Sequence, residues 1–410
     1  MTSEQRHELR YQRHKAARAK AKSVKWADVD NYEKVFTYEN LYRAYKKCRR
    51  NVAWKASVQR YISQAPLQIY DTWVKLNDGT YQSPKFFEFD IYERGKKRHI
   101  RSTIIGERVV QRCLCDNALV PVIGSTFIHD NGACMKKKGY DFAVNRLVCH
   151  LERHIRKHGT DGYILLGDLK SFFDNIMHWA VSKLLRKELS DLRLIGLSED
   201  LIKQFDPDAP AESRKGLGLG SQISQLLAPA VASYIDHFVK EVLRIKGYGR
   251  YMDDFYLIHE DKEYLKYCKE EIRKKCAELG MTLNERKTQI VKLTHGFTFL
   301  KVRFYITETG KIIRKIHPAS VTRERRKLKK FHLKWLEGKM TRKDVWNSLQ
   351  SWLSHAARFM AHHTVNNMIT LYAQLFIKGG NPHDLHQGSQ GRYGGCGGSP
   401  SLSRVCLQAG

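Results

Sequence analysis

Tyr248-Gly249-Arg250-Tyr251-Met252-Asp253-Asp254-Phe255-Tyr256-Leu257-Ile258-His259 is an apolar, aromatic run broken by two adjacent carboxylates. Phe255-Tyr256-Leu257-Ile258 is strongly β-prone, so the run reads as a β-hairpin with Asp253 and Asp254 at its tip. An Asp-Asp pair in a polar turn is common, and alone it does not separate a metal site from an ordinary turn. Its surroundings do more. Upstream, Tyr163-Ile164-Leu165-Leu166-Gly167 is a second apolar strand ending in Asp168, followed by Phe172-Phe173 where a solvated turn would carry small polar residues. A third carboxylate can then meet the first two across adjacent strands. Oxygen-only donors of this kind suit Mg²⁺, with Mn²⁺ as an alternative ion. Two such ions roughly 3.5–4 Å apart would stabilise both the attacking and the leaving oxygen of a phosphoryl transfer.

Composition supports a polyanionic partner. The chain has 410 residues, 42% of them hydrophobic, and 72 Lys+Arg against 42 Asp+Glu give a formal charge of +30. That excess is far more than solubility requires and points first to nucleic acid. No apolar run is long enough to span a bilayer, and the N-terminus lacks the apolar core of a signal peptide, so the expectation is a cytoplasmic protein without a membrane partner. Nine cysteines show no Cys-x-x-Cys pair, and the 18 histidines show no His-Glu-x-x-His spacing. A zinc module or a disulfide framework is therefore not expected.

Residues 1 to 26 form a basic arm or a solvated charged helix, with Arg6, Arg10, Arg13, Lys15, Arg18, Lys20, Lys22 and Lys25 against Glu4 and Glu8. A helix is expected over 39–48. The alternation over 86–92 reads as a strand, Glu93 to Arg98 as a cationic turn, and 99–104 as the returning strand. A helix over 107–122 is expected to stop near Pro121. A small-residue and lysine loop, 132–139, opens a helix over 140–158. A long apolar helix is expected over 221–245 with Pro229 inside it, and an amphipathic helix from 262 closes at Gly280. Strands are expected over 288–293, 297–304 and 311–316. Between Lys311 and Lys343, thirteen Lys and Arg face two Glu, and Trp335, Trp346, Trp352 and Phe359 in the helices that follow read as a bundle core beneath a basic face. The Gly/Ser-rich stretch 379–410 has no periodic run and is expected to be disordered.

In this order the elements resemble a reverse transcriptase over about residues 37 to 375, with Asp-x-x-x-Phe-Phe and Tyr-x-Asp-Asp as the joint signature. The resemblance implies an α+β right-hand polymerase: a basic N-terminal extension (1–36), fingers (37–160), an antiparallel-sheet palm (161–310), a basic helical thumb (311–378) and the tail (379–410). It assigns Asp168, Asp253 and Asp254 to two catalytic metals, and Lys287 to protonation of the pyrophosphate leaving group. Lys97 and Arg98 match the positions that grip the incoming triphosphate. Phe173 falls where the family keeps a ring against the 2′ position of the sugar, which implies dNTP substrates, although position alone favours ordinary core packing. Tyr251, Met252, Phe299, Leu300, Lys301, Arg323 and Arg326 fall in the primer and template regions, and Lys301 stands where a glycine is expected.

Leu219-Gly220-Ser221-Gln222-Ile223-Ser224-Gln225 narrows the resemblance. Most reverse transcriptases carry Gln-Gly-x-x-x-Ser-Pro here, whereas Leu-Gly-x-x-x-Ser-Gln is similar to the enzymes of diversity-generating retroelements. That places Leu219, Gly220 and Gln225 at the nascent base pair. An apolar Leu219 rejects misfits less well than a hydrogen-bonding side chain would. The other reading is that Ser224-Gln225 caps or packs the helix start. The partners implied are an RNA template, an RNA/DNA primer duplex, dNTPs and a small basic accessory variability protein. A defence-associated reverse transcriptase, an RNA-dependent RNA polymerase and an inactive RNA-binding scaffold of the same fold stand as alternatives.

Overall fold

The computed structural model describes residues 6, 8–10, 12, 13, 24–93 and 96–377. Most of the basic arm, Arg94 and Gly95 at the tip of the cationic hairpin, and the tail from residue 378 lie outside the described residues. Among the described residues, helices and three sheets give an α+β fold, in two compact units: residues 1–300 with 305–312, and residues 301–304 with 313–410.

In the first unit, β1 (Phe87–Glu93) and β2 (Lys96–Ser102) form an antiparallel hairpin. The main sheet contains β3 (Tyr163–Asp168), β4 (Gly247–Tyr251), β5 (Asp254–His259) and β6 (Gln289–Lys292) in the order β4-β5-β3-β6, every neighbour antiparallel. β3 lies between β5 and β6 and is buried from Ile164 to Asp168, which is why its sequence is a continuous apolar run and not an alternation. Gly167 sits opposite Phe255, and a Cβ there would come within 2.1 Å of the Phe255 ring, so only glycine fits beside the strand-ending aspartate.

Helix Tyr140–His158 packs on β4 and β5, and helix Lys262–Glu278 on β3, β5 and β6. The latter ends in a Schellman motif: Gly280, at φ +70°, donates to Ala277 and Met281 donates to Cys276. The second unit holds helices Pro318–Leu336, Arg342–Ala356 and His362–Phe376 around Leu328, Val345, Leu349, Met368, Tyr372 and Phe376. Trp335, Trp346 and Trp352 pack against that core, Trp335 with its ring 5.6 Å from Phe376, so these aromatics serve packing. No helix among the described residues is long and apolar enough to cross a membrane.

Several expectations are corrected. The helix starting at Ile105 does not stop at Pro121; it passes through a π turn, Cys115–Leu119, and continues over Val120–Gly124 with the proline just after that turn, where the regular hydrogen-bond ladder is already interrupted. The long helix Gln222–His237 likewise runs into a π turn, Phe238–Val242, and carries Pro229 in its interior. The expected strand 297–304 is two, β7 (Phe297–Phe299) and β8 (Val302–Ile306), which together with β9 (Ile312–Ile316) make a ribbon of order β7-β8-β9. The two-residue turn between them, Leu300 at φ +47° and Lys301 at φ +64°, has the left-handed backbone of a hairpin turn without its usual glycine or asparagine. Lys97 and Arg98 belong to strand β2 and not to the turn. Tyr32, Val35 and Phe36 are core residues, so the chain enters the core before residue 37. Helices Ala56–Ser63, Ala65–Asn77, His178–Glu188 and Leu192–Lys203 were not anticipated.

Candidate active site

Strand register brings the acids together. Asp168 and Asp254 are direct partners across β3 and β5, and residues opposite one another in an antiparallel pair project to the same face. Met252 and Asp253 form the tip between β4 and β5, with Met252 at φ +56°. The Leu169 N–H donates to the Asp253 carbonyl at 3.0 Å, which ties the tip to the residue following Asp168. Below the acids, the segment after Gly280 is stitched to the same strand end: Lys170 donates to Thr282, and Asn284 donates through its backbone to the Asp168 carbonyl at 2.8 Å.

That segment also supplies charge compensation. Lys287 Nζ lies 2.6 Å from Asp168 Oδ2, and Asn284 Nδ2 donates to Asp168 Oδ1 at 2.8 Å. The bond to Asp168 holds the Lys287 ammonium above its ordinary pKa against partial burial, and the charges of Asp168, Asp254 and Asp253 add to the rise. Burial pushes the Asp253 carboxyl above the usual carboxylate range; a backbone hydrogen bond opposes it, Asp168 reinforces it, and Lys287 and Arg98 oppose it. Three carboxylates thus act on one ammonium, leaving a surplus of negative charge on a set of oxygen donors. An ammonium already rests on Asp168. This donor set fits a hard divalent cation.

The tip is held from behind by a buried ion pair that sequence reading missed. Arg250 Nε and Nη2 donate to Asp236 Oδ1 and Oδ2 at 2.7 and 2.6 Å, and Tyr248 Oη donates to Oδ1 at 2.5 Å. The same guanidinium donates through Nη1 to the Met252 carbonyl at 2.9 Å and through Nη2 to the Pro229 carbonyl at 3.0 Å. Asp236 holds Arg250 above its ordinary pKa despite full burial. The available signal was a lone arginine inside an apolar strand, a position that only a partnered charge can occupy.

The remaining expected site residues fall as follows. Phe172 is buried, while Phe173 is half-buried, edge-on to Phe172 at 5.4 Å, and its carbonyl accepts from Leu217 N–H at 2.8 Å. That bond sets the Phe173 turn beside the 217–220 segment. Leu219 is half-buried; Gly220, at φ +106°, lies against β2, where a Cβ would be 3.3 Å from the Arg101 carbonyl. The helix cap is Ser221 and not Ser224-Gln225. Ser221 makes no side-chain cap and donates instead to Gln111 Oε1 at 2.9 Å. Gln111 in turn donates to buried Glu107, which also accepts from Tyr81 and Ser83, a polar network with no sequence signature. Ser224 is buried and Gln225 exposed.

Lys97 pairs with Asp90 at 2.9 Å along the hairpin, whereas Arg98 acts on Asp253. Tyr251 is half-buried, which raises its phenol pKa, and Met252 Sδ is 4.0 Å from Cys134 Sγ. The Phe299 ring is buried, edge-on to Tyr256 at 5.1 Å. In the second unit, Arg323 and Arg326 are exposed on helix Pro318–Leu336.

Comparison with known proteins gives a family match. The family described as reverse transcriptase (RNA-dependent DNA polymerase) matches residues 95–304. Protein YkfC of Escherichia coli (strain K12) is 27% identical over 250 residues, covering 50% of this chain and 62% of the relative. Among solved structures, telomerase from Candida albicans in complex with a fragment of telomeric RNA aligns with TM-score 0.44 and 12% identity, over 77% of this chain and 65% of that one. Apo telomerase from Candida tropicalis aligns with TM-score 0.42 and 13% identity, over 77% and 63%. The chain spans less than two thirds of the length of each of these proteins.

Proposed function

Because the chain belongs to the reverse transcriptase family, we propose that it is an RNA-directed DNA polymerase, and that within the family it is the error-prone enzyme of a diversity-generating retroelement. The observation that carries the polymerase reading is the register pairing of Asp168 with Asp254, with Asp253 tied beside them and Lys287 resting on Asp168. In this reading residues 37–160, 161–310 and 311–378 are fingers, palm and thumb.

Asp168, Asp253 and Asp254 would hold two Mg²⁺ ions, whose chemistry is to neutralise charge on the attacking and leaving oxygens when a primer 3′-hydroxyl meets the α-phosphate of a dNTP. The chain's own residues do the rest. The Leu169–Asp253 and Arg250–Met252 bonds fix the acids before substrate arrives, so little reorganisation accompanies the reaction. Lys287 keeps its proton through its carboxylate neighbours and is the group to hand it to the pyrophosphate. Arg98, whose charge already reaches Asp253, grips the triphosphate with Lys97. Phe173 is partly exposed at the edge of the core, where its ring can meet the sugar and exclude a 2′-hydroxyl. Tyr251 and Met252 contact primer and template near the acids, Phe299, Leu300 and Lys301 contact them from the end of β7 and the turn to β8, and Arg323 and Arg326 offer cations to duplex phosphates.

The retroelement assignment rests on Leu219 and Gln225. Leu219 offers the nascent pair an apolar surface and no hydrogen bond, and the segment that carries it is braced by Ser221, Gln111 and Glu107 instead. An RNA template-repeat and a small basic accessory protein are the partners this reading requires, in the cytoplasm of the host cell. Purified enzyme, with any accessory protein, should copy a defined RNA into cDNA with mismatches concentrated opposite adenines. Uniformly faithful cDNA would remove the retroelement assignment and leave the polymerase one standing.

A further inference from the structure

Away from the aspartates, helix Tyr140–His158 places His154 and His158 one turn apart at i, i+4, so that both imidazoles lie on the same helix face. Their rings stack at 5.1 Å. Glu260, just beyond the end of β5, joins them. His158 Nε2 is 3.7 Å from Glu260 Oε2, and one donor atom from each of the three residues falls within 4.8 Å of the others.

Backbone partners set the ring states. His154 Nε2 lies 2.7 Å from the Asp161 carbonyl, which can only accept, so Nε2 carries the proton and Nδ1 presents its lone pair. A histidine anchored this way through one nitrogen is the usual form of a metal ligand. His259 differs: its Nδ1 accepts from Asp261 N–H at 3.0 Å, so the neutral ring bears its proton on Nε2, 3.8 Å from Glu260 Oε2. The Nδ1 lone pair of His259 is therefore already engaged, and His259 is not counted as a ligand. Gly162 makes room for the arrangement, since a Cβ there would come within 2.3 Å of His154 Nε2.

We propose that His154, His158 and the Glu260 carboxylate form a second metal site, selective for a borderline transition ion such as Zn²⁺ over Mg²⁺ and separate from the aspartate cluster. Two imidazoles and one carboxylate favour Zn²⁺, Co²⁺ or Ni²⁺ over hard alkaline-earth ions, and three protein ligands leave a coordination position for water. Arg153, Lys157, Arg244 and Lys246 line the adjacent cavity of about 330 Å³ and oppose a cation, which sets the affinity lower than that of a closed structural zinc site.

The test uses chelator-stripped full-length protein carrying Asp253→Asn, which weakens divalent binding at the aspartates, titrated with Co²⁺. A visible d–d absorption saturating at one equivalent is expected, with Zn²⁺ displacing it and a large excess of Mg²⁺ failing to. Both His158→Ala and Glu260→Gln, at partly exposed positions, should weaken Co²⁺ binding at least about 10-fold while the circular dichroism spectrum and melting temperature of the metal-free protein stay unchanged. Absence of the visible band, an undiminished band in both variants, or a sulfur-to-cobalt charge-transfer band placing the ion on cysteine would each overturn the proposal.

Discussion

Replacing Arg250 by Met separates the fold-holding role of the buried ion pair from its role at the tip. Both charges are withdrawn from water, at 1% and 0% side-chain exposure. Arg250→Met strands Asp236 with only the Tyr248 hydroxyl, and breaking such a pair from one side costs about 3–5 kcal/mol. Arg250→Met with Asp236→Leu removes both charges and should recover most of that loss, less about 1–3 kcal/mol for the Tyr248 hydroxyl left without its partner.

DNA synthesis should not recover in parallel. The Met252 backbone sits at φ +56°, a conformation that costs a non-glycine residue about 1–2 kcal/mol. The charged hydrogen bond from Arg250 Nη1 to the Met252 carbonyl, about 1.5–3 kcal/mol, is of the size needed to hold it there. Without that donor the tip relaxes, and a shift of about 1 Å in a reacting group costs on the order of 10²-fold in rate. Urea unfolding and single-nucleotide extension on an RNA template, run on the wild type and both variants, give the comparison. A double variant that regained full extension rate along with its stability would refute the claim that Arg250 positions Asp253.

Three further outcomes follow from the site. Asp253→Asn should reduce extension by at least about 10³-fold, since several kcal/mol of charge stabilisation depend on that carboxylate; because the folded state raises the Asp253 pKa, its ionised form weighs against folding above the ordinary carboxylate range, so the variant should show a higher urea midpoint than wild type at pH 7, and a lower one would contradict the burial argument. Phe173→Ala should raise ribonucleotide incorporation relative to deoxyribonucleotide, measured as a ratio of kcat/KM values, and an unchanged ratio would return Phe173 to a packing role. Burial brings the His150 imidazole down to about 4, with Nδ1 and Tyr256 Oη 2.9 Å apart; its contribution is complete above about pH 6.5 and is lost as pH falls toward about 4, a span worth about 3 kcal/mol, so His150→Gln should flatten the urea-stability profile across that window, and an unaltered profile would contradict it.

The site was legible where local chemistry and strand periodicity agree. Two apolar strands, each meeting an aspartate at its end, could be read directly, and antiparallel pairing then placed Asp168 opposite Asp254. The Gly280 cap was legible because a left-handed residue after an amphipathic helix calls for glycine. What escaped depended on partners distant in sequence. Lys97 and Arg98 look like turn residues until Tyr92 and Ile91 are set across from them in register, with Asp90 paired diagonally to Lys97. Leu300-Lys301 carries no residue that favours positive φ, so the break between β7 and β8 had no local signal. The π turns at 115–119 and 238–242 leave composition unchanged and alter only the phase of the helix.

Asn284 shows why the aspartates alone were an incomplete reading of the site. Its side chain donates to Asp168 Oδ1 and its backbone N–H to the Asp168 carbonyl, so one residue fixes both the carboxylate and the strand end that carries it. Its own carbonyl then accepts from Lys287 and Thr288 N–H in a tight turn, which sets the lysine's reach. In sequence Asn284 is one polar residue in a connection between a helix and a strand, where asparagine is common for local reasons. In space it links the lysine to the acid: without it, Asp168 would keep an ammonium partner on a flexible stem but lose its orientation. A protein of formal charge +30 has cations in excess. What it must supply at this point is a carboxylate held at one angle, and that depends on an uncharged side chain.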